Sequence, residues 1–353
     1  MLFRSARELR KELGIPVGLV NCNWGGTRVE PWVPMSQFET SSSLKEYYGN
    51  EINNMKAQLA KYDPAKVKAK YEKQLADWKV KTKEAKETKK KAPRRPRLQG
   101  SPEQNNRLPS ALYNGMMHSV VPYAAKGAIW YQGETNAGHF SEKYQEHFTA
   151  LIEGWRKAWG QEKFYFYWCQ LAQFRAAKKE PVGEDGWVTV CDQQRLTLAL
   201  PDTGMAVLND VGEAEDIHPK NKIDAGKRLS RWALKQAYGK DLVYSGPLYK
   251  SSEVKGNKII VKFSNVGRGL MVGKKDLMNP TVETQEPLKR FQICGADNKW
   301  LWADAKITGT DTVEVSHKDI SAPVEVRYAW ASNAEGANLY NKEGLPASLF
   351  KTK

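Results

Sequence analysis

Gly127-Ala128-Ile129-Trp130-Tyr131-Gln132-Gly133-Glu134-Thr135-Asn136 decides how this chain is read: a short apolar run breaks off in a glycine-punctuated cluster of amide and carboxylate side chains. Such a run, bounded by turn residues, reads as a buried strand that delivers a polar loop. Two further segments share the design. Val17-Gly18-Leu19-Val20 runs into Asn21-Cys22-Asn23-Trp24-Gly25-Gly26-Thr27. Met205-Ala206-Val207-Leu208 runs into Asn209-Asp210-Val211-Gly212, with Glu215-Asp216-Ile217-His218-Pro219 just beyond. Ligands of open parallel α/β sheets sit at the carboxyl ends of strands, so the three loops are predicted to meet in one crevice.

The segments between them support that architecture. Leu2, Ala6, Leu9 and Leu13 mark one helical face, Gly14 provides a stop, and Pro16 precedes the strand 17–20. A helix over Tyr113 to Ala124 is predicted to feed strand 128–131. A helix from Tyr144 to Trp159 closes at Gly160, and a strand follows from Phe164 to Cys169. Another helix, Trp187 to Ala199, leads to strand 205–208, and Pro219 suits the first turn of a helix over 220–238. Repeated alternation of this kind predicts a parallel sheet covered on both faces. From about Asp241 the texture changes to short alternating runs at Lys258 to Phe263, Phe291 to Cys294, Thr312 to Val315 and Val324 to Ala329. The expectation is an α/β domain over 1–240 and a small antiparallel β-rich domain over 241–353.

Composition narrows the class. A chain of 353 residues that is 41% hydrophobic can bury a substantial core. No apolar run reaches membrane-spanning length, and the first nine residues lack the charged-then-apolar layout of a signal peptide. Cys22, Cys169, Cys191 and Cys294 are widely spaced, without a metal-like pattern. They read as buried or incidental thiols.

The net charge of +15 would ordinarily point to nucleic acid, but its distribution argues otherwise. From Lys56 to Arg97 there are 13 lysines and 3 arginines against 2 aspartates and 3 glutamates, so +11 of the total sits in one segment. Tyr71, Leu75 and Trp78 put an apolar stripe on this otherwise charged helix, a helical insertion spanning about 44–98, and Pro93, Pro96 and Pro102 forbid its continuation. The segment reads as a solvated helical excursion held by its stripe, with a polyanion-binding arm as the other reading.

His218 lies at the lip of a helix with carboxylates two and three residues before it. A histidine oriented by a carboxylate is what general-base activation of a hydroxyl requires, since the acid sets the tautomer and stabilises the imidazolium. A capping aspartate beside a surface histidine fits the same residues. Gly25 and Gly26 follow Trp24, where the lack of side chains lets backbone N–H groups approach a developing oxyanion. Gln132 could add a side-chain N–H, while Glu134 and Asn136 could brace the loops. For Glu134, a buried carboxylate held by backbone amides is an equal alternative to a direct role.

Taken together, Pro16 to Val20 with Trp24-Gly25-Gly26-Thr27, Leu112-Tyr113-Asn114-Gly115-Met116 with Gly127 to Asn136, and Asp216-Ile217-His218-Pro219 resemble the sialate O-acetylesterase family of the SGNH (GDSL-like) hydrolases. Asn338 to Ser348 is similar to that family's ending. The resemblance implies a three-layer SGNH-hydrolase-like α/β fold carrying the Lys-rich helical insertion and the C-terminal β-domain. It also implies a carbohydrate O-acetylesterase working through a serine acyl-enzyme, with no cofactor or metal, on an O-acetylated sialic acid or other acetylated sugar. His218 would be the base, Asp216 its orienting acid, and Gly25 and Gln132 the oxyanion donors. Trp24, Gly26, Asn114, Glu134 and Asn136 are the expected substrate contacts. Neither nucleic acid nor membrane is an implied partner, and the setting implied is extracytoplasmic.

One departure from the family pattern is large. The family's nucleophile stands in a Gly-Gln-Ser-Asn type loop upstream of the segment matching Pro16 to Thr27, and this sequence contains no Gly-Gln-Ser-Asn, Gly-Asp-Ser or GxSxG. Ser5, Ser36, Ser101 and Ser110 sit in no comparable context, and Cys22 occupies the oxyanion-loop segment. Met1 is therefore expected to mark a shortened chain. A glycosidase pairing Glu134 with Asp210 or Glu215, and a catalytically impaired carbohydrate-binding fragment using Trp24, Trp130 and Tyr131, are the rival readings.

Overall fold

A computed structural model of the chain describes residues 1–181 and 183–352; Lys353, the end of the expected β-rich domain, lies outside the described residues. Helices α1 (Leu2–Leu13), α2 (Ser42–Leu59) and α3 (Pro64–Glu87) come first. Strand β1 (Gly127–Trp130), α4 (Tyr144–Trp159), β2 (Tyr165–Cys169), α5 (Gly186–Leu196), β3 (Thr203–Ala206) and α6 (Lys222–Gln236) then alternate. Met1–Val29 together with the chain from Val120 onward forms one compact unit, and Glu30–Ser119 forms a second.

In the first unit β1, β2 and β3 make a parallel sheet in that order, with Trp130 opposite Trp168 and Trp168 opposite Met205. Every residue of β2 is buried, which is why Tyr-Phe-Tyr-Trp-Cys is a continuous apolar run instead of an alternating one. Phe166 and Trp168 stack with Phe148 of α4, and Phe166 also meets Trp155. On the opposite face Tyr165, Tyr167 and Cys169 share a core with Ala225, Leu229 and Trp232 of α6, and Met1 and Leu9 of α1 pack against it. Helices therefore cover both faces of the sheet, giving three layers. Close approach of α6 is tight enough that a Cβ on Gly204 would overlap the Trp232 ring, whose Nε1 donates to Met205 O at 2.9 Å.

The remainder of this unit is antiparallel. Its strands are β4 (Leu248–Lys255), β5 (Lys258–Ser264), β6 (Leu270–Lys274), β7 (Val282–Glu283), β8 (Phe291–Cys294), β9 (Leu301–Trp302) and β10 (Asp304–Ile307). They continue with β11 (Thr312–Ser316), β12 (Glu325–Tyr328), β13 (Leu339–Asn341) and β14 (Phe350–Lys351). The sheets run β10-β11-β5-β4, β14-β12-β8-β9 and β13-β6-β7. The fold is thus mixed α/β, with a three-stranded parallel sheet and antiparallel sheets after it. No helix among the described residues is long and apolar enough to cross a membrane.

In the second unit, Ser41 caps α2 and Asp63 caps α3, with Pro64 in the first turn. Tyr71, Leu75 and Trp78 are half-buried along α3, as a stripe on a solvated helix should be. Trp78 Nε1 donates to Pro93 O at 2.8 Å and Arg95 lies 5.8 Å from the Trp78 ring, so the proline-rich return is strapped to the helix.

Several boundaries differ from expectation. Gly14 ends α1 in the left-handed conformation and Gly160 ends α4 likewise, as the sequence predicts. Residues 17–20, by contrast, belong to no helix or strand among the described residues, and Leu19 and Val20 are exposed. Apolar composition specifies an extended preference but cannot supply a partner. Tyr113 to Ala124 is a single π-type turn over Tyr113–Met117 followed by turns, because Gly115 and Pro122 weaken any longer helix. Strand β3 begins two residues earlier than 205, and α6 begins after an Asn221 cap, leaving Pro219 ahead of the helix instead of in its first turn.

Candidate active site

The carboxyl end of β1 enters the site through Gly133. Its φ of 145° lies in the region that favours glycine, and a Cβ there would stand 3.0 to 3.2 Å from Val190, Gln194 and Leu171. This turn sends Gln132 inward and Glu134 onward. Gln194, buried on α5, clasps the turn by donating to Gln132 O at 3.0 Å and accepting from Leu171 N at 2.9 Å.

Gln132 and Asn136 join this loop to the segment after residue 20. Gln132 Nε2 donates to Asn136 Oδ1 at 2.7 Å and to Thr27 O at 3.2 Å, while its Oε1 accepts from the Tyr144 hydroxyl at 3.1 Å. Asn136, fully buried, also accepts from Val29 N at 3.0 Å. Both Nε2 hydrogens of Gln132 are therefore engaged by protein acceptors. Its geometry is that of a brace between loops, and in this arrangement it presents no spare N–H to an oxyanion; the expected donor role is corrected on that ground.

The Trp24 loop is open where Gln132 is closed. Trp24 is 54% exposed, and the Cβ positions of Gly25 and Gly26 have no heavy atom within 4 Å. Gly26 adopts φ 72°, a turn conformation, and Thr27 Oγ1 closes the turn onto Trp24 O at 2.9 Å. A ligand can thus reach this backbone. Asn114, the remaining expected contact, belongs to the second unit and is exposed there.

The third loop brings charge. His218 N–H donates to Asp216 Oδ1 at 2.9 Å, whereas the imidazole Nδ1 stands 3.8 Å from the same oxygen and the side chain is 82% exposed. Asp216 therefore caps the His218 backbone, with the ring adjacent but not hydrogen-bonded to it. Glu213 anchors the loop by accepting from Lys220 N at 2.9 Å and Lys220 Nζ at 2.8 Å.

Glu134 connects the second and third loops electrostatically. Burial pushes its carboxyl above the usual range, opposed by backbone N–H groups of residues 133 and 134 and by the nearby His218 and Lys222. Burial likewise lowers Lys222, whose ammonium donates to Pro219 O and lies 5.2 Å from the Tyr131 ring. The cluster of Tyr131, Glu134, His218 and Lys222 is a polar wall at the carboxyl end of the parallel sheet. Lys222 was not singled out from the sequence; the signal was its place one residue after a capping asparagine.

Other expected participants are committed elsewhere. Asp210 is 3% exposed and bidentate to Arg228, at 2.6 and 2.7 Å, and also accepts from the Tyr340 hydroxyl at 3.2 Å. This removes it as the second carboxylate of a glycosidase. Burial raises the Cys22 thiol, so it is a poor source of thiolate, and pushes Cys169 up to about 12. Ser110, Ser245 and Ser332 each donate their hydroxyl to a protein acceptor, and Ser348 is held against Gln170.

Residues 100–235 match the family model described as carbohydrate esterase, sialic acid-specific acetylesterase. The sialate O-acetylesterase of Rattus norvegicus is 28% identical over 375 residues, covering 98% of this chain and 62% of that protein. That of Homo sapiens is 26% identical, covering 98% and 58% respectively. A crystal structure of a carbohydrate acetylesterase from Xanthomonas citri superposes with a TM-score of 0.74 at 33% identity, covering 99% of this chain and 64% of the other. This chain thus spans less than two thirds of the length of these relatives.

Proposed function

We infer that this chain, which carries the sialic acid-specific acetylesterase family's sequence over residues 100–235 and resembles sialate O-acetylesterases along nearly its whole length, is a carbohydrate esterase that removes O-acetyl groups from a sugar. The observation that carries the reading is the joining of three loops at the carboxyl end of one parallel sheet. Gln132 and Asn136 tie the Thr27 to Val29 segment to the β1 turn, and Glu134 lies within electrostatic reach of His218 and Lys222.

In the proposed reaction His218 takes the proton of a serine hydroxyl, and the oxygen attacks the acetyl carbonyl carbon. Charge develops on the carbonyl oxygen, which receives the open backbone N–H of Gly25. Collapse breaks the ester C–O bond, the sugar oxygen regains the proton from the imidazolium, and an acetyl-serine remains. Water, deprotonated by the same histidine, then attacks the acetyl carbon; the serine oxygen leaves, takes that proton back from the imidazolium, and acetate is released. Asp216 needs only a small ring rotation to accept from Nδ1, and the looseness at 3.8 Å is common for catalytic bonds before substrate binds. Trp24 and Gly26 would line the sugar, with Glu134 binding its hydroxyls and Asn136 holding the loops. The chemistry is assigned to residues 1–240, and the β-rich remainder to supporting them.

No serine of this chain is assigned as the nucleophile, because none has the strand-to-turn context and the best ordered ones already donate to protein acceptors. O-acetyl sialic acid is the proposed substrate, and an extracytoplasmic setting accompanies it. The 353-residue chain should therefore turn over p-nitrophenyl acetate poorly. Robust turnover abolished by a serine-directed phosphonate would overturn that assignment while leaving the esterase reading intact. Release of sugar instead of acetate from an acetylated glycoside would overturn the esterase reading itself.

A further inference from the structure

A cleft of about 760 Å³ lies within the first unit, away from the loops that hold His218. Its lining includes Lys178, Lys179, Lys289, Arg290 and Trp302, against the single acidic residue Glu335. The floor is built from fixed parts. Trp302 Nε1 donates to Lys179 O at 2.7 Å, the Arg290 guanidinium lies 5.2 Å from the Trp302 ring, and it donates to Glu335 O and to Lys178 O. Arg290 also holds a left-handed backbone at φ 67°, rare for a long side chain and maintained by Ala329 N donating to Arg290 O at 3.0 Å. Such local strain is retained where surrounding structure over-determines it.

Two cations of the rim are free to act. Lys178 and Lys179 are exposed and make no ion pair among the described residues, while Lys289 pairs with Glu286. A partly exposed aromatic ring anchored by its N–H, beside the unpaired ammonium groups of Lys178 and Lys179, suits the apolar face of a sugar with anionic substituents. A backbone contact links the cleft wall to the loop that leads to His218. Arg175 N donates to Ala214 O at 3.0 Å, so the strap that carries Lys178 touches the loop leading to Asp216 and His218. Lys178 lies three positions after Arg175 and His218 four positions after Ala214, which limits the span to roughly 30 Å at full extension.

We propose that this cleft is a secondary binding site for anionic oligosaccharides, with Trp302 as the platform and Lys178, Lys179 and Arg290 as the cationic rim. This rests on the carbohydrate reading above and deepens it: the substrate is an acidic glycan chain long enough to occupy the cleft while an acetylated unit lies at His218. The +15 net charge then contributes by concentrating an anionic polymer at the surface.

The test is calorimetric titration of the 353-residue chain with a short oligogalacturonate and with a neutral xylo-oligosaccharide of equal length. The acidic chain should bind at least about 10-fold more tightly, with affinity falling as salt rises. Lys178→Gln/Lys179→Gln should abolish that preference, and Trp302→Ala should weaken both ligands. The lysine pair is exposed, so its result does not hinge on folding. Equal binding of the two oligosaccharides, an unchanged preference in the lysine variant, or stronger binding of a single-stranded oligonucleotide than of the uronate would overturn the proposal. Acetate release from a small acetylated sugar is followed in parallel and should be unchanged in the lysine variant; release of sugar in place of acetate counts against the esterase reading without touching the binding result.

Discussion

Replacing Asn136 by alanine removes the acceptor on which two loops of the candidate site depend. Its Oδ1 takes Val29 N–H at 3.0 Å and Gln132 Nε2–H at 2.7 Å, both in buried surroundings. Leaving a buried donor unsatisfied costs roughly 1–3 kcal/mol, so two of them predict a loss of about 2–6 kcal/mol. That is a large share of the 5–15 kcal/mol or so by which a folded domain is usually stable. Urea unfolding followed by tryptophan fluorescence reads the loss directly. With a slope of about 2 kcal/mol per molar, the midpoint should fall by roughly 1 M or more. Gln132→Met should be destabilising too, and the double variant should cost less than the sum by about 0.5–3 kcal/mol because the two residues share a hydrogen bond. A midpoint change equivalent to less than about 0.5 kcal/mol for Asn136→Ala, or strict additivity with Gln132→Met, would refute the brace.

Three further outcomes follow from contacts elsewhere. Asp210→Ala strands the buried Arg228 guanidinium and should destabilise by about 3–5 kcal/mol in the same urea assay, whereas a catalytic carboxylate would leave stability nearly unchanged. Glu134 is raised by burial, so the folded protein binds its proton more tightly than the unfolded chain, and stability is lost as pH rises from 4.5 through the raised value. Glu134→Gln should remove that decline, visible as variant stability rising relative to the parent across the interval; parallel pH profiles would contradict it. Gly204→Ala places a methyl against the Trp232 ring and should cost roughly 1–3 kcal/mol, lowering the thermal midpoint, and an unchanged midpoint would show that α6 packs less closely than described.

The parallel sheet was legible because β2 is apolar on both faces and the helices around it end in glycines at the required left-handed positions, Gly14 and Gly160. Segment 17–20 was not, because pairing depends on a neighbour that composition does not name. The loops that carry the candidate site were visible as polar turns after apolar runs. What their side chains do was less visible: Gln132 was read as a free donor, yet its amide is used by Asn136 and by Thr27, the latter over a hundred positions away. Asp210 illustrates the same limit, since only the fold puts Arg228 and Tyr340 against it. Gln194 offered a faint signal, a polar residue on a helix whose neighbours at Val190 and Cys191 are buried. Lys222 is informative only because α6 begins beside the β1 turn.

Acetate released from O-acetyl sialic acid by the natural protein that carries this chain, with and without His218→Ala, bears most directly on the esterase account. Loss of a general base in such an arrangement costs several orders of magnitude, so the variant should fall by about 10³-fold or more while retaining its fold by circular dichroism. Acetate release that survives His218→Ala within a few-fold would contradict the account.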